Sequence, residues 1–304
     1  MTGEPDMAAA YQRHRAAVIG LAYRMTGSLA TAEDIAQEVF LRWHDADRAA
    51  IALPRAWMLK AAARLSIDHL KSARMRRERY VGAWLPEPLL DAPLGAGEAM
   101  RAPQEAARLA AEDLSVAFLL TLQRLSPAER AVFILHDLFE TPFTEIAGLL
   151  GRSEAACRKL AGRARAHLGT VEPRQAVSEA EARRIATAFL AASRSGDEAG
   201  LRRLLAEDAV LRSDGGGLRY AALNPIRGAE RVIRLFAGLA RKGSPGLPPL
   251  LHLGHINGWP GYVTLEPDGL PQVTTLELRE GRIAGIYVLR NPEKLAALRV
   301  RQPA

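Results

Sequence analysis

Apolar residues between positions 143 and 168 recur at helical spacing in two short segments separated by a glycine. In the first segment Ile146, Ala147 and Leu150 fall on one helix face. Gly151 follows, and a residue without a Cβ can end a helix in the left-handed conformation. In the second segment the apolar positions recur every four residues, at Ala156, Leu160, Ala164 and Leu168. The pattern predicts two helices joined by a tight turn.

The second helix is predicted to begin after Ser153, whose hydroxyl suits an N-cap, and to carry its cations away from the apolar stripe. These cations are Arg152, Arg158, Lys159, Arg163 and Arg165. Two helices around a turn, the second of them basic, are typical of a DNA-binding helix-turn-helix, whose second helix enters the major groove. A helical hairpin with a solvated basic face has the same pattern, so the motif alone leaves both interpretations open.

Residues 8 to about 82 also show helical patterns with short connections. The sequence Thr26-Gly27-Ser28 predicts a turn, after which Thr31 suits an N-cap with Asp34 at the third helical position. The apolar stripe of this helix is Ile35, Val39 and Trp43.

Pro54 predicts the start of another helix, with the basic residues outward and an apolar face formed by Trp57, Ala61, Leu65 and Ile67. Helices are predicted again from Glu105 to Leu168. Within that stretch residues 126–129 combine a serine N-cap, a proline at the first helical position and a glutamate at the third.

Residues 80–103 break the helical pattern with prolines at 86, 88 and 93 and glycines at 95 and 97, which predicts an extended linker. The linker also carries Trp84, Leu85, Leu89 and Leu90, apolar groups that a free linker has no reason to expose, so we expect it to dock on another part of the protein. Residues 171–177, which include Pro173, predict a second boundary.

After Ser178 the pattern changes. Helices are predicted at 179–192, 198–205 and 229–240, and alternating strands at 261–265, 272–278 and 282–289. Pro267-Asp268-Gly269 and Glu280-Gly281 supply the turns. Helices followed by an antiparallel meander predict an α+β domain, with a curved sheet wrapped around a helix.

Charge favours a polyanionic partner. The 304 residues carry a net charge of +7, and residues 55–79 hold eight cations against two carboxylates. Cys157 is the only cysteine, which excludes an intrachain disulfide and suggests a small buried hydrophobe. No apolar run approaches the ~20 residues that span a bilayer, and the N-terminus lacks a signal-peptide pattern, so we expect a cytoplasmic protein without membrane contact.

Two helical blocks, each with a basic helix and joined by a linker, resemble a bacterial sigma factor of the extracytoplasmic-function group, which keeps sigma regions 2 and 4. The resemblance rests on AEDIAQEVFLRW at 32–43, RAWMLKAAARLSIDHLKSARMRR at 55–77 and the stretch from LSPAER to RARAHL at 125–168. WLPEPL in the linker, DGGG at 214–217 and NPEKL at 291–295 resemble the subgroup with a fused SnoaL-like (NTF2-like) domain.

The resemblance implies two all-α sigma domains followed by a cone-shaped α+β NTF2/SnoaL-like domain. It places region 2 at 8–82, the linker at 83–104, region 4 at 105–170 and the SnoaL-like domain at 176–295. It also implies a non-enzymatic initiation factor without a cofactor, whose partners are core RNA polymerase and the −35 and −10 elements of promoter DNA. A small ligand in the C-terminal domain is left open.

The resemblance further implies roles for four groups of residues. Core polymerase would contact Asp34, Gln37, Glu38 and Leu41. The −10 element would be bound and melted by Arg64, Asp68, His69, Lys71, Arg74, Arg76 and Arg77, with the loop at 44–53 forming a pocket for an extruded base. The −35 element would be contacted by Arg152, Ser153, Glu154, Ala155, Arg158, Lys159 and Arg163. Regulation would involve Trp84, Leu85, Pro86, Asp214, Gly215, Gly216, Gly217, Asn291 and Pro292.

Other interpretations of these residues stand beside the functional ones. Asp34 and its neighbours fit a solvated helix face, and Asp68 fits a simple ion pair with Arg64 or Lys71 at helical spacing. His69 is too isolated to suggest a metal site, and no metal is expected. The subgroup usually has Lys after DGGG, whereas Leu218 stands here with Arg219 next.

The C-terminal domain admits two classes of function. It either regulates the sigma regions by packing on them or on the linker, or it performs acid–base catalysis on a small hydrophobic molecule with Asp214, His252 or His255. Three glycines after a strand favour a close-approach loop and hence regulation. For the whole chain, a one-component regulator that senses a ligand and binds an operator is the other hypothesis.

Overall fold

A computed structural model of the chain describes residues 4–47, 50–77, 80–90, 114–169, 177–242, 246–296 and 298. Contacts between residues divide the chain into two units. One comprises residues 1–79 and 118–172, and the other residues 80–117 and 173–304. The linker after the first helical block therefore belongs to the same unit as the C-terminal residues.

The first 170 residues form helices where the sequence pattern is helical. They are α1 (Glu4–Thr26), α2 (Leu29–Asp45), α3 (Pro54–Arg77), α4 (Val116–Leu122), α5 (Pro127–Phe133), α6 (Phe143–Leu150) and α7 (Glu154–Leu168). A π-helical turn, Ile134–Leu138, continues α5. Helices α1, α2 and α3 pack together around Leu21, Tyr23, Val39 and Met58, which are all fully buried. The predicted helix from Glu105 to residue 113 lies outside the described residues.

The helix caps follow local sequence, with one correction. Gly27 has a φ of 70° and makes the predicted turn, but α2 begins at Leu29 and its N-cap is Ser28. The Ser28 hydroxyl accepts a hydrogen bond from the Thr31 amide at 3.1 Å. The prediction of Thr31 as the N-cap was wrong because a serine three residues earlier already binds its amide. The capping box of Ser126 and Glu129 is confirmed.

The buried face of α3 is wider than its sequence predicts. Ile67 is buried, but Trp57, Ala61 and Leu65 are only half-buried. The fully buried positions are Met58, Leu59, Ala62, Ala63, Ser66 and Leu70. Helix α3 packs against α1 and α2 and also against α5 and α6, so two faces of the helix are covered. A single apolar stripe was therefore the wrong model for this helix.

The C-terminal residues form four helices and six strands among those described. The helices are α8 (Glu179–Ser195), α9 (Glu198–Leu204), α10 (Ala229–Lys242) and α11 (Pro292–Leu295). The strands are β1 (Leu205–Asp214), β2 (Ile226–Arg227), β3 (Leu250–Ile256), β4 (Trp259–Leu265), β5 (Pro271–Arg279) and β6 (Arg282–Leu289). They form one open sheet in the order β2-β1-β6-β5-β4-β3. The α+β architecture is confirmed, but the sheet is mixed because β1 runs parallel to β6.

Helices α8 and α10 cover one face of this sheet. Phe189 of α8, Ile233 of α10 and Leu276 of β5 belong to one buried apolar cluster with Trp259 and Tyr262 of β4. Apolar side chains thus fill the space between the helices and the sheet. No described helix is long and apolar enough to cross a membrane.

Candidate nucleic-acid interface and linker-binding site

Helices α6 and α7 form the predicted helix-turn-helix. Gly151 ends α6 with a φ of 61°, in the left-handed region, and Ser153 caps α7 by accepting a hydrogen bond from the Ala156 amide at 3.2 Å. Ile146 and Ala147 are buried on the inner face of α6. The turn geometry therefore follows from the glycine and serine that the sequence provides.

The inner face of α7 differs slightly from the predicted stripe. Leu160 and Ala164 are buried, whereas Ala156 and Leu168 are half-buried. Cys157 is fully buried, as predicted for a small hydrophobe, and burial raises the pKa of its thiol. A higher pKa keeps this cysteine protonated and unreactive.

The residues expected at the −35 element lie on the outer side of the helix-turn-helix. Arg152, Ser153, Ala155, Arg158, Lys159 and Arg163 are exposed, and Glu154 is half-buried. Several of the cations already have acidic partners. Arg158 pairs with Glu154 at 2.7 Å, Arg163 with Glu129 at 3.1 Å and Arg165 with Asp137.

Arg152 and Lys159 differ from these cations because they form no ion pair with any described residue. Among the cations expected at the −35 element, these two side chains are thus the ones without a carboxylate partner among the described residues.

The pKa of Glu129, the partner of Arg163, is held below its usual value by the hydrogen bond from Ser126 and, more weakly, by Arg163.

Part of the α3 surface expected at the −10 element is also exposed. Arg64, Asp68 and Lys71 are exposed and His69 is half-buried. Asp68 accepts a hydrogen bond from Lys71 at 3.3 Å, so the simple helical ion pair forms in this structure. The side chains of Arg74, Arg76 and Arg77 lie outside the described residues, although the helix backbone continues to Arg77.

Helix α2 has the polar rim and apolar core that its sequence predicts. Ile35, Val39 and Trp43 are buried. On the opposite side lie Asp34, Gln37 and Leu41, which are exposed, and Glu38, which bonds to Arg42 at 2.8 Å. The Leu41 side chain is 51% exposed, which leaves an apolar group in the middle of a polar helix surface.

The linker docks on the end of strand β1 through one carboxylate. Asp214 is fully buried. Its Oδ1 accepts hydrogen bonds from the Tyr80 hydroxyl at 2.6 Å and the Gly216 amide at 3.0 Å. Its Oδ2 accepts one from the Leu85 amide at 2.8 Å. Burial, followed by the bond to Asp214, raises the pKa of Tyr80, which therefore stays protonated and donates to the carboxylate.

Lys294 supplies the positive charge that this buried carboxylate requires. Its Nζ lies 2.7 Å from Asp214 Oδ2 and donates to the Leu85 carbonyl oxygen at 2.6 Å. The same ammonium lies 3.9 Å from the centre of the Trp84 ring and 5.0 Å from that of Tyr80. One lysine thus contacts the strand end and both aromatic residues of the linker.

The glycines after Asp214 allow the loop to approach its neighbours closely. Gly216 has a φ of 64°, and a Cβ at this position would collide with the Asn291 side chain. A Cβ on Gly215 would collide with the Arg219 carbonyl oxygen. Asn291 in turn donates to the Tyr80 hydroxyl at 2.9 Å and caps α11. The three motifs WLPEPL, DGGG and NPEKL therefore meet at one place, which we call the linker site.

Asn257 forms a second attachment. It lies in the turn between β3 and β4 with a φ of 50°. Its side-chain oxygen accepts a hydrogen bond from the Leu89 amide at 3.2 Å, and its side-chain nitrogen donates to the Leu114 carbonyl at 3.2 Å. Its own amide donates to the Leu89 carbonyl at 2.8 Å. One asparagine thus holds the chain on both sides of residues 91–113.

Arg219 does not take the place of the Lys expected after DGGG. Its guanidinium is buried, pairs with Asp268 at 2.6 Å and donates to the Pro271 carbonyl oxygen at 3.0 Å. It therefore ties the glycine loop to the turn between β4 and β5. The cation at Asp214 is Lys294, from a different motif.

Sequence reasoning missed Tyr80 and Lys294 of the linker site and Asn257 of the second attachment. Lys294 lies inside the NPEKL motif, and a buried aspartate would have called for a cation nearby. Asn257-Gly258 is a strong hairpin signal that also marks the end of the unpredicted strand β3. Tyr80 has no local signal.

The three residues considered for catalysis do not come together. Asp214 ends β1, whereas His252 and His255 belong to β3, and three strands separate β1 from β3. Four steps between neighbouring strands at ~4.8 Å each amount to about 19 Å along the sheet. The His255 ring contacts the Val177 carbonyl oxygen at 3.2 Å, and burial lowers the pKa of His252. No group of three or more described His, Cys, Asp or Glu residues suits a metal ion.

Comparisons with known proteins match both helical blocks. The family model for sigma-70 region 2 matches residues 10–76, and the model for sigma-70 region 4 matches residues 115–168. The ECF RNA polymerase sigma factor SigJ of Mycobacterium tuberculosis strain H37Rv is 37% identical over 293 residues. The match covers 93% of this chain and 91% of SigJ.

Two further comparisons extend over the whole chain. The probable ECF RNA polymerase sigma factor SigI of M. tuberculosis strain CDC 1551 is 32% identical, with 98% of each chain covered. The crystal structure of M. tuberculosis SigJ has a TM-score of 0.74 and 33% identity, and the match covers 95% of this chain and 98% of that one. Both sequence matches thus extend over the C-terminal unit, and the structure match to SigJ extends over it as well.

The role of Lys294 as the countercharge of Asp214 can be tested by substitution. Replacing Lys294→Met leaves the Asp214 carboxylate buried without a countercharge, which costs about 3 kcal/mol or more. We expect the Leu85 amide to exchange its hydrogen on the order of 100-fold faster, as measured by hydrogen exchange with mass spectrometry. Arg183→Met, which removes an exposed cation of the same unit, is the control. Unchanged protection of residues 80–90 in Lys294→Met would contradict the proposed role of the lysine.

Proposed function

The chain belongs to the extracytoplasmic-function RNA polymerase sigma factors, and we propose which of its surfaces contacts the polymerase and which contact each promoter element. A sigma factor binds core RNA polymerase and directs it to promoters. The region 2 helices and the region 4 helix-turn-helix are both present, which favours this function over that of a one-component regulator, since an operator-binding protein needs no second basic block. The work would take place in the cytoplasm with the polymerase.

We assign the polymerase contact to the outer face of α2. Asp34, Gln37 and Glu38 offer polar groups around the exposed Leu41, so a partner would gain apolar burial at the centre and hydrogen bonds at the rim. The −10 element would then be bound by α3, where Arg64 and Lys71 face solvent. Arg74, Arg76 and Arg77 continue the same basic run in the sequence.

We assign recognition of the −35 element to the start of α7. The observation that carries this assignment is the pair of exposed cations, Arg152 and Lys159, that flank the capped helix N-terminus and have no ion pair with described residues. Ser153 and Ala155 lie between them, small enough to let the helix enter a groove. Arg158 and Arg163 would have to exchange their carboxylate partners for DNA.

The first unit has to open before it can bind both elements. Helix α3 packs against α5 and α6, and Arg130 of α5 donates a hydrogen bond to the Met25 carbonyl oxygen. The −35 and −10 elements are separated by about 25 base pairs, or ~85 Å of duplex. Helices in contact cannot cover that distance, so binding of polymerase would separate the two regions.

The docked linker would limit how far region 2 and region 4 can separate. Fully extended, the chain from Arg77 to Val116 spans about 130 Å. With Tyr80 and Leu85 held at Asp214, and both Leu89 and Leu114 held by Asn257, the same path reaches only about 50 Å. We propose that the C-terminal unit regulates transcription by setting this limit. A further catalytic role would require groups other than Asp214 with the two histidines.

Transcription from a defined promoter tests the assignment of the −35 contacts. The double variant Arg152→Ala/Lys159→Ala should reduce run-off transcription with core polymerase about tenfold or more, because each lost phosphate or base contact costs roughly 1 kcal/mol or more. Binding to core polymerase should not change. The matched control removes two ion-paired arginines, Arg183 and Arg184. Equal transcription by the double variant and the wild type would refute the assignment.

A second experiment tests the linker. Trp84→Ala removes the ring that covers Lys294 and should change run-off output, and change it differently on promoters whose −35 and −10 elements are one or two base pairs closer or farther apart. The stability of region 2 should not fall. Tyr220→Ala, an aromatic residue of the same unit that is 96% exposed, is the control. Identical output from Trp84→Ala and wild type on every spacing would rule out regulation through the linker.

A further inference from the structure

The C-terminal unit has a cationic surface of its own, in addition to the basic helices of region 2 and region 4. On α10, Arg231, Arg234, Arg241 and Lys242 are all exposed, and we call these four residues the cationic stripe. They follow one another at helical spacing along a single side. The opposite side of α10, with Val232, Ile233 and Ala237, is buried in the core.

Three other exposed arginines of this unit are paired with carboxylates, whereas the stripe residues are not paired in this way with any described residue. Arg183 pairs with Glu179, Arg184 with Glu181, and Arg202 makes two bonds to Glu230, at 2.8 and 3.0 Å. None of the four stripe residues forms an ion pair with a described residue. Glu230, the one carboxylate on α10, already bonds to Arg202.

Helix stability does not explain the whole stripe. Arg241 and Lys242 stand in the last turn, where the helix dipole favours cations. Arg231 stands in the first turn, where the dipole disfavours them. Gly238, on the same side between Arg234 and Arg241, lowers helix propensity, and only the Arg241 guanidinium comes within 4 Å of the position of a Cβ there. No side chain therefore stands between Arg234 and Arg241 at Gly238.

We propose that the cationic stripe binds the phosphate backbone of duplex DNA without sequence preference. From Arg231 to Lys242 the helix rises about 16 Å, which matches some five nucleotides of one strand at ~3.4 Å each. Guanidinium groups suit phosphate because they donate two parallel hydrogen bonds. The inference rests on the proposed function, which brings promoter DNA to the protein, and it gives the C-terminal unit a direct contact with that DNA.

The test uses the full chain and a labelled 30-base-pair duplex that lacks −35 and −10 sequences. Binding is followed by fluorescence anisotropy over a range of salt concentrations. Two triple variants lose the same charge from the same unit: Arg231→Ala/Arg234→Ala/Arg241→Ala in the stripe, and Arg183→Ala/Arg184→Ala/Arg279→Ala among arginines that are paired with carboxylates. Thermal unfolding of both variants checks that they fold.

The stripe variant should lower the slope of log Kd against log salt by about two to three, since each phosphate contact contributes about 0.9. The control should change the slope by less than about one. A stripe variant that binds the duplex like the control overturns the proposal. The proposal is also overturned if the stripe variant binds the duplex as the wild type does but binds core polymerase more weakly. The stripe would then contact protein and not DNA.

Failure of the stripe proposal and failure of the proposed function give different experimental results. If the wild type fails to start transcription with core polymerase while the stripe variant still loses the salt-dependent binding, the DNA contact stands and the proposed function falls. The reverse result removes only the stripe.

Discussion

A carboxylate removed from water must be given hydrogen bonds and a positive charge, and Asp214 obtains most of both from residues far away in the sequence. Tyr80 and the Leu85 amide come from the linker, 134 and 129 positions earlier, and Lys294 comes from α11, 80 positions later. Loss of any one leaves part of a buried charge unpaired. The hydrogen bonds and the ion pair of one buried carboxylate therefore hold the linker, the glycine loop and α11 together. Asn257 extends the same attachment to the chain beyond residues 91–113.

The features that could be predicted from the sequence are those that local chemistry determines. Gly151, Ser153 and the capping box at Ser126 act on neighbours within a few residues, so the helix-turn-helix and its caps follow from pattern alone. The polar and apolar faces of α2 follow in the same way. The turns at Gly269 and Gly281, both with positive φ, also lie where the sequence puts them.

The features that were missed depend on tertiary contacts. Helix α3 is covered on two sides, which no single stripe reveals. Strand β1 has a burial pattern that does not alternate, and its partner β6 is parallel and more than 70 residues away. Arg219 follows the glycines but binds Asp268, and Lys294, which does bind Asp214, comes from another motif. Sequence identified the motifs of the linker site, whereas the assignment of partners needed the fold.

The C-terminal unit can limit the separation of the two sigma regions only if the linker stays docked in solution. Pulsed electron–electron double resonance measures the distance between two spin labels and so tests docking directly. The labels are attached to cysteines introduced at Val81, which is 52% exposed, and at Arg203. Cys157, the only native cysteine, is fully buried and does not compete for the label. We expect a single narrow distance distribution in the full-length protein, and a broad one when Asp214 is replaced by alanine. A broad distribution in the unmodified linker site, typical of a flexible chain, would contradict the account.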